Sequence, residues 1–171
     1  GHLRSALERN RKCVRASLLQ GDLAAQQGHA EAAIACWQRI EQQDPTYLAL
    51  VAKRLLDAFR KLERREEGLL LLRGYLERYP SLDLLDVVFQ LVLEAEGPEA
   101  AYNLVRDELR RNPTLLGFDK LIEARVLISP PESRADLDLA KGIVQSYTRR
   151  LARYRCDNCG FKARQFYWRC P

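Results

Sequence analysis

Three prolines frame this chain. Pro45, Pro80 and Pro113 recur at nearly even spacing, and each follows a charged, helix-periodic run. Self-similarity at a fixed period of about 20–50 residues makes each period one supersecondary unit, able to bury its apolar face only against its neighbours. The spacing therefore predicts a stack of helical pairs. Helices are expected near 12–27, 30–43, 47–62, 65–78, 81–96 and 98–111.

A period of about 34 residues closed by proline is the tetratricopeptide signature. Counting back from Pro45, Gly21, Gly28, Ala33 and Trp37 fall on that motif's glycine, inter-helix turn, small and large aromatic positions. The second repeat, 49–81, keeps Phe59 and Leu72 at the aromatic and large apolar positions. The third, 82–114, keeps the small Ala101 and the large Val105. Small residues let paired helices approach, and larger ones fill the space beside them. No repeat has tryptophan at the motif's early tryptophan position. A further pair near 115–128 and 132–150 has helical periodicity without the repeat signature. Pro130-Pro131 separates its helices, and Ser133 with Asp136 is expected to cap the second. Residues 3–10 read as the end of an earlier helix, so the array is expected to begin mid-repeat. Gly1-His2 reads as an expression remnant.

The five cysteines divide into two kinds. Cys13 and Cys36 lie in apolar helical patterns and read as small core residues. The other three fall at the C-terminal end, as Cys156-Asp157-Asn158-Cys159-Gly160 followed by Cys170-Pro171. Two cysteines separated by two residues can turn both sulfurs toward one ion, and Gly160 can take the positive φ that such a turn needs. Cys170-Pro171 reads as the start of a second knuckle of the form Cys-Pro-x-Cys. The fourth ligand is then expected beyond Pro171, so the chain is expected to stop inside its own metal site. A four-thiolate site is closed and structural, and both zinc and iron accept tetrahedral sulfur. Tyr154, Phe161, Phe166, Tyr167 and Trp168 are expected to cover the knuckle or pack it onto the last helices. The fold class is all-α: a tetratricopeptide-repeat superhelix over 1–152 with a small rubredoxin-like or zinc-ribbon metal knuckle over 153–171.

Charge is unevenly placed. The net formal charge is +5, yet residues 141–171 hold eight Lys or Arg against one acid, so residues 1–140 are slightly acidic. Part of the tail's basicity offsets the thiolate charge. Two further readings stay open for the rest: a zinc ribbon whose bases and aromatics contact nucleic acid, and an anionic membrane surface. No apolar run approaches the roughly 18 residues of a membrane span. The start lacks a signal peptide's basic and apolar regions. Cysteine usage fits a reducing compartment.

A repeat array leaves a concave groove lined by its first helices. The motif positions facing it are Arg15, Leu18, Asp22, Ala25 and Gln26, then Leu50, Lys53, Asp57, Arg60 and Lys61, then Asp83, Asp86, Gln90, Leu93 and Glu94. This surface is the expected partner site, basic in its middle and acidic at one end. Lys53, Arg60 and Lys61 weakly suggest a carboxylate clamp of the co-chaperone kind, and Asp57 among them counts against it. No catalytic constellation is present in the pattern. His29 falls in an inter-helix turn, Glu66-Glu67 and Glu94-x-Glu96 read as solvated helix charges, and no phosphate loop or nucleophile elbow occurs. The chain is expected not to be an enzyme.

Tetratricopeptide helices followed at once by Tyr154-Arg155-Cys156-x-x-Cys159-Gly160-Phe161 and Tyr167-Trp168-x-Cys170-Pro171 resemble the lipopolysaccharide assembly protein B family of Gram-negative bacteria. Asn112-Pro113-Thr114 with Phe118-x-Lys120-Leu121 is similar to that family's last repeat. Cys13 to Ser17 and Gly21-Asp22-Leu23 are similar to its middle repeats. The resemblance implies a non-enzymatic adaptor at the cytoplasmic face of the inner membrane, whose membrane helix is not among these residues. It further implies FtsH protease and the lipid A deacetylase LpxC as partners, with an inner-membrane lipopolysaccharide sensor opposing the proteolysis. Cys156, Cys159 and Cys170 carry over as ligands of one zinc or iron ion. No nucleic acid is expected as a partner, and a homodimer stays open.

Overall fold

A computed structural model describes residues 2, 3, 5 and 10–171. The expected helix end at 3–10 therefore lies, at residues 4 and 6–9, outside the described residues. The elements in order are α1 (Val14–Gln26), α2 (Ala30–Gln43), a 3-10 turn (Pro45–Tyr47), α3 (Leu48–Lys61), α4 (Arg65–Arg78), α5 (Leu82–Glu96), α6 (Pro98–Arg111), α7 (Leu115–Ile128), α8 (Pro131–Thr148) and two short strands, β1 (Tyr154–Arg155) and β2 (Lys162–Ala163). The chain forms two compact units, Gly1–Leu104 and Val105–Pro171. No helix among the described residues is long and apolar enough to cross a membrane.

In the first unit each helix from α1 to α4 packs on the next, and α3 also packs on α5. First helices of successive repeats are thus neighbours, as the repeat period requires. The turns repeat as well. Gly28, Glu63 and Gly97, one per hairpin, take φ of 81°, 59° and 92°. At these turns the N–H groups of His29, Arg64 and Gly97 donate to the carbonyls of Ala24, Phe59 and Val92 at 2.9, 2.9 and 3.2 Å. Such bonds back across the turn satisfy carbonyls that a helix end would leave open. Two hairpins use glycine at this left-handed position, where a side chain costs about 1–2 kcal/mol. The middle hairpin forces Glu63 into it.

The repeat positions are filled as the periodicity predicts. Trp37 is 2% exposed, and its indole Nε1 donates to the carbonyl of Leu18 at 3.3 Å. Gly21 makes this possible: a Cβ there would stand 2.1 Å from Trp37 Nε1. Ala33, Phe59, Leu72 and Ala101 are all buried. Cys36 is buried too, whereas Cys13, just ahead of α1, is only half-buried. Arginine–carboxylate pairs link successive repeats at nearly the same period: Arg54 with Asp22 at 2.8 Å, Arg78 with Glu41 at 2.9 Å, Arg60 with Glu94 at 2.7 Å, and Arg64 with Glu31. All are solvent-facing, so each contributes at most about 1 kcal/mol, and together they fix register more than stability.

Local capping explains the breaks. Asp44 accepts the amide of Thr46 at 3.1 Å, opening the 3-10 turn ahead of α3. Ser81 accepts from Leu84 N at 3.1 Å ahead of α5. In the second unit Thr114 accepts from Gly117 N at 2.9 Å ahead of α7, and α7 packs on α8. Ser133 and Asp136, expected as caps, do not cap α8, which begins at Pro131 with Pro130 as an N-cap that makes no side-chain bond. Proline's fixed φ and missing N–H suit the first helical position, so no cap is needed there.

Candidate metal centre and the helical pocket

Residues 149–171 include no buried residue. The final anchor before them is Thr148, 4% exposed, whose hydroxyl donates to Asp119 Oδ2 at 3.4 Å. Beyond it the chain forms a tight ladder. Tyr154 pairs with Ala163 and Arg155 with Lys162, antiparallel. Arg153 N donates to Ala163 O at 3.0 Å, and Cys156 N to Phe161 O at 2.8 Å. Between the strands the chain folds back, with Gly160 N donating to Cys156 O at 2.8 Å and Gly160 at φ 73°. The predicted left-handed glycine is thus at the knuckle's exit.

This turn brings Cys156 and Cys159 together, and Cys170 joins them. The three sulfurs lie within 4.8 Å of one another, with Cys159 Sγ to Cys170 Sγ at 3.3 Å. All three are free thiols. An ion with metal–sulfur bonds of about 2.3 Å in tetrahedral array holds its sulfurs about 3.8 Å apart, so the cluster fits a thiolate-coordinated ion. The metal's identity is not fixed by this geometry, since zinc and iron accept the same donors.

The thiols also respond to each other and to the backbone. The backbone amide of Cys159, the Cys170 thiol and the amide of Asn158 hold Cys156 down to about 7. Bonding to the sulfurs of Cys156 and Cys159 pushes Cys170 up to about 12. The second shift comes mainly from the hydrogen bonds of the Cys170 thiol to the other two sulfurs, which hold a proton where a bound cation would take its place. Around the cluster, Phe166 meets Trp168 edge to face at 5.0 Å, Tyr154 meets Phe166 at 5.8 Å, and Phe161 meets Tyr167 at 6.0 Å. The aromatics pair among themselves, while Cys159 and Cys170 stay exposed and Tyr167 and Trp168 keep 45% and 40% of their surface in water. Bound there, a metal ion would supply cross-linking of three separate points of a segment that has no core.

The predicted groove residues scatter more. Asp22, Ala25, Gln26, Asp57 and Lys61 line one open pocket of about 340 Å³ in the first unit, together with Gly28, Ala30, Trp37, Arg54 and Ala58. Arg15, Lys53 and Gln90 are exposed, and Asp86 is half-buried. Arg60 is paired with Glu94. Leu18, placed on the groove by the motif, is instead 7% exposed and belongs to the core. Sequence reasoning missed Arg54, whose guanidinium closes on Asp22 at 2.8 Å from one repeat later. The signal was an acid and an arginine 32 residues apart, close to the repeat period.

Comparison with known proteins supports this site and the chain around it. A family model described as the rubredoxin metal binding domain matches residues 154–171. Lipopolysaccharide assembly protein B of Escherichia coli strain K12 is 27% identical over 171 residues, covering 99% of this chain and 44% of that protein. The protein of the same name from Haemophilus influenzae is 26% identical, covering 99% of this chain and 43% of its own length. The chain spans less than half the length of these curated relatives. Residues 154–171 thus match a rubredoxin metal binding domain, and the chain that carries them is similar, almost end to end, to lipopolysaccharide assembly protein B.

Proposed function

We propose that the chain belongs to a non-enzymatic adaptor in the control of lipopolysaccharide synthesis. In this reading it promotes FtsH-dependent proteolysis of the lipid A deacetylase LpxC at the cytoplasmic face of the inner membrane. A lipopolysaccharide sensor in that membrane opposes it. The hairpins serve as a tetratricopeptide array whose first helices present the docking groove, and the metal knuckle is a fixed part of the adaptor surface.

The observation that carries the reading is the convergence of Cys156, Cys159 and Cys170 at the end of a chain similar along 99% of its length to proteins named for lipopolysaccharide assembly. The site's chemistry agrees with it. A cluster made of thiols alone offers structural coordination rather than acid–base work. The open pocket beside Asp22 and Asp57 offers mixed charge for a protein segment.

The experiment is a pull-down with the metal-loaded protein, probing the eluate for the protease and the deacetylase. Recovery of both is expected. Recovery of neither, by protein verified as folded and metal-loaded, contradicts the adaptor role.

A further inference from the structure

We propose that the face of α8 from Leu139 onward and the basic segment after it form a docking surface for an anionic lipid bilayer. Leu139, Ile143 and Tyr147 recur at every fourth position, so they share one face of α8, a stripe about 12 Å long. They are 66%, 54% and 65% exposed, and Leu151, three residues past the end of α8, is 38% exposed. Large apolar side chains grouped this way on a helix face in water mark an interaction surface.

The charge of the segment that follows the stripe says what covers it. Arg149, Arg150, Arg155, Lys162, Arg164 and Arg169 are exposed, and among the described residues none has a carboxylate partner. In the first unit, by contrast, Arg54, Arg60, Arg64, Arg65, Arg73 and Arg78 are all paired with carboxylates. The metal does not account for the surplus, because three or four thiolates around a divalent ion leave only one or two net negative charges. The acids of α8, Glu132, Asp136 and Asp138, all lie in its N-terminal half. The helix is therefore graded, and its cationic end carries Tyr147 and leads to Leu151. Tyr167 and Trp168, exposed beside the knuckle, are the ring types that favour the headgroup level of a bilayer.

An interfacial helix buries its apolar face at the acyl boundary while its cations meet anionic headgroups, so a bilayer satisfies both features together. A nucleic acid would use the cations and leave Leu139 and Ile143 in water. A second copy of the chain would set the same cationic surplus against itself.

Bilayer docking goes beyond the adaptor role, and its test needs no protein partner. The metal-loaded 171-residue chain is sedimented with vesicles of phosphatidylcholine, alone or with phosphatidylglycerol. Binding is expected to the anionic vesicles, to fall with salt, and to be near zero on the neutral ones. Leu139→Ser with Ile143→Ser, and separately Arg149→Gln with Arg150→Gln, should each weaken it about ten-fold or more, with helix and metal content unchanged. No binding to anionic vesicles overturns the proposal. So does binding that the serine pair leaves intact and a single-stranded oligonucleotide abolishes, which marks a polyanion site. A dimer in ultracentrifugation that the serine pair dissolves, with vesicle binding unchanged, assigns the stripe to self-association and overturns it as well.

Discussion

Between residues 14 and 104, Trp37, Phe59, Tyr75 and Phe89 are each exposed by 2% or less, and arginine after arginine faces a carboxylate. After Thr148 no residue is buried, the rings pair edge to face with much of their surface in water, and six exposed cations have no carboxylate partner among the described residues. Among the described residues, the buried apolar side chains beyond Leu104 are only Val105, Ile122 and Ala124. Burial stabilises by about 25 cal/mol per Å² of apolar surface removed from water, so the hairpins have a large source of cohesion that the C-terminal segment lacks. A short segment of a well-cored protein can thus depend on a metal for its own fold. The two regions should accordingly fail for different reasons.

Removing the metal should separate the two regions most strongly. Chelation, or Cys156→Ser with Cys159→Ser, should unfold residues 154–171 and leave α1 to α6 formed. Structural zinc contributes apparent binding free energies of about 10–16 kcal/mol in small peptides at neutral pH, so this is the largest effect expected. Amide NMR dispersion should collapse for those residues alone. Simultaneous loss of the hairpins would show one shared source of cohesion. Trp37→Ala is the converse experiment. It should cost about 3–5 kcal/mol in thermal or urea unfolding through the cavity it leaves, with metal affinity unchanged.

Smaller effects are expected within the hairpins. Gly21→Ala should cost about 1–3 kcal/mol by overpacking, since its Cβ would meet the Trp37 ring. A neutral result would mean that the two helices can part without loss. Glu63→Gly should stabilise by about 1 kcal/mol, because glycine takes the left-handed φ without a Cβ penalty. An unchanged melting temperature would remove strain from the middle turn.

Much of this was legible in the sequence, for definite reasons. A period written in prolines, glycines and one tryptophan survives because each marks a backbone or volume requirement that few residues meet. The thiol cluster was legible because Cys156-x-x-Cys159-Gly160 encodes its own turn. Pairwise and conformational facts escaped. Arg54 was not placed beside Asp22 because the pair depends on how one repeat is set against the next. Glu63 carries no sign of its positive φ except its place one repeat after Gly28. Leu18 was assigned to the groove, yet the helix turns it inward where its own carbonyl receives the Trp37 indole. The exposed face of α8 was invisible because Leu139, Ile143 and Tyr147 keep a core-like spacing.

The most direct test joins the metal knuckle to the proposed adaptor role. Deacetylase abundance is measured in cells whose only copy of the full-length protein carries Cys156→Ser and Cys159→Ser, with loss of the metal confirmed on the purified variant. A raised level of LpxC is expected, because the knuckle loses its shape while the hairpins remain. A normal level with the metal absent would contradict the knuckle's part in the adaptor surface, and would assign the work to the hairpin groove alone.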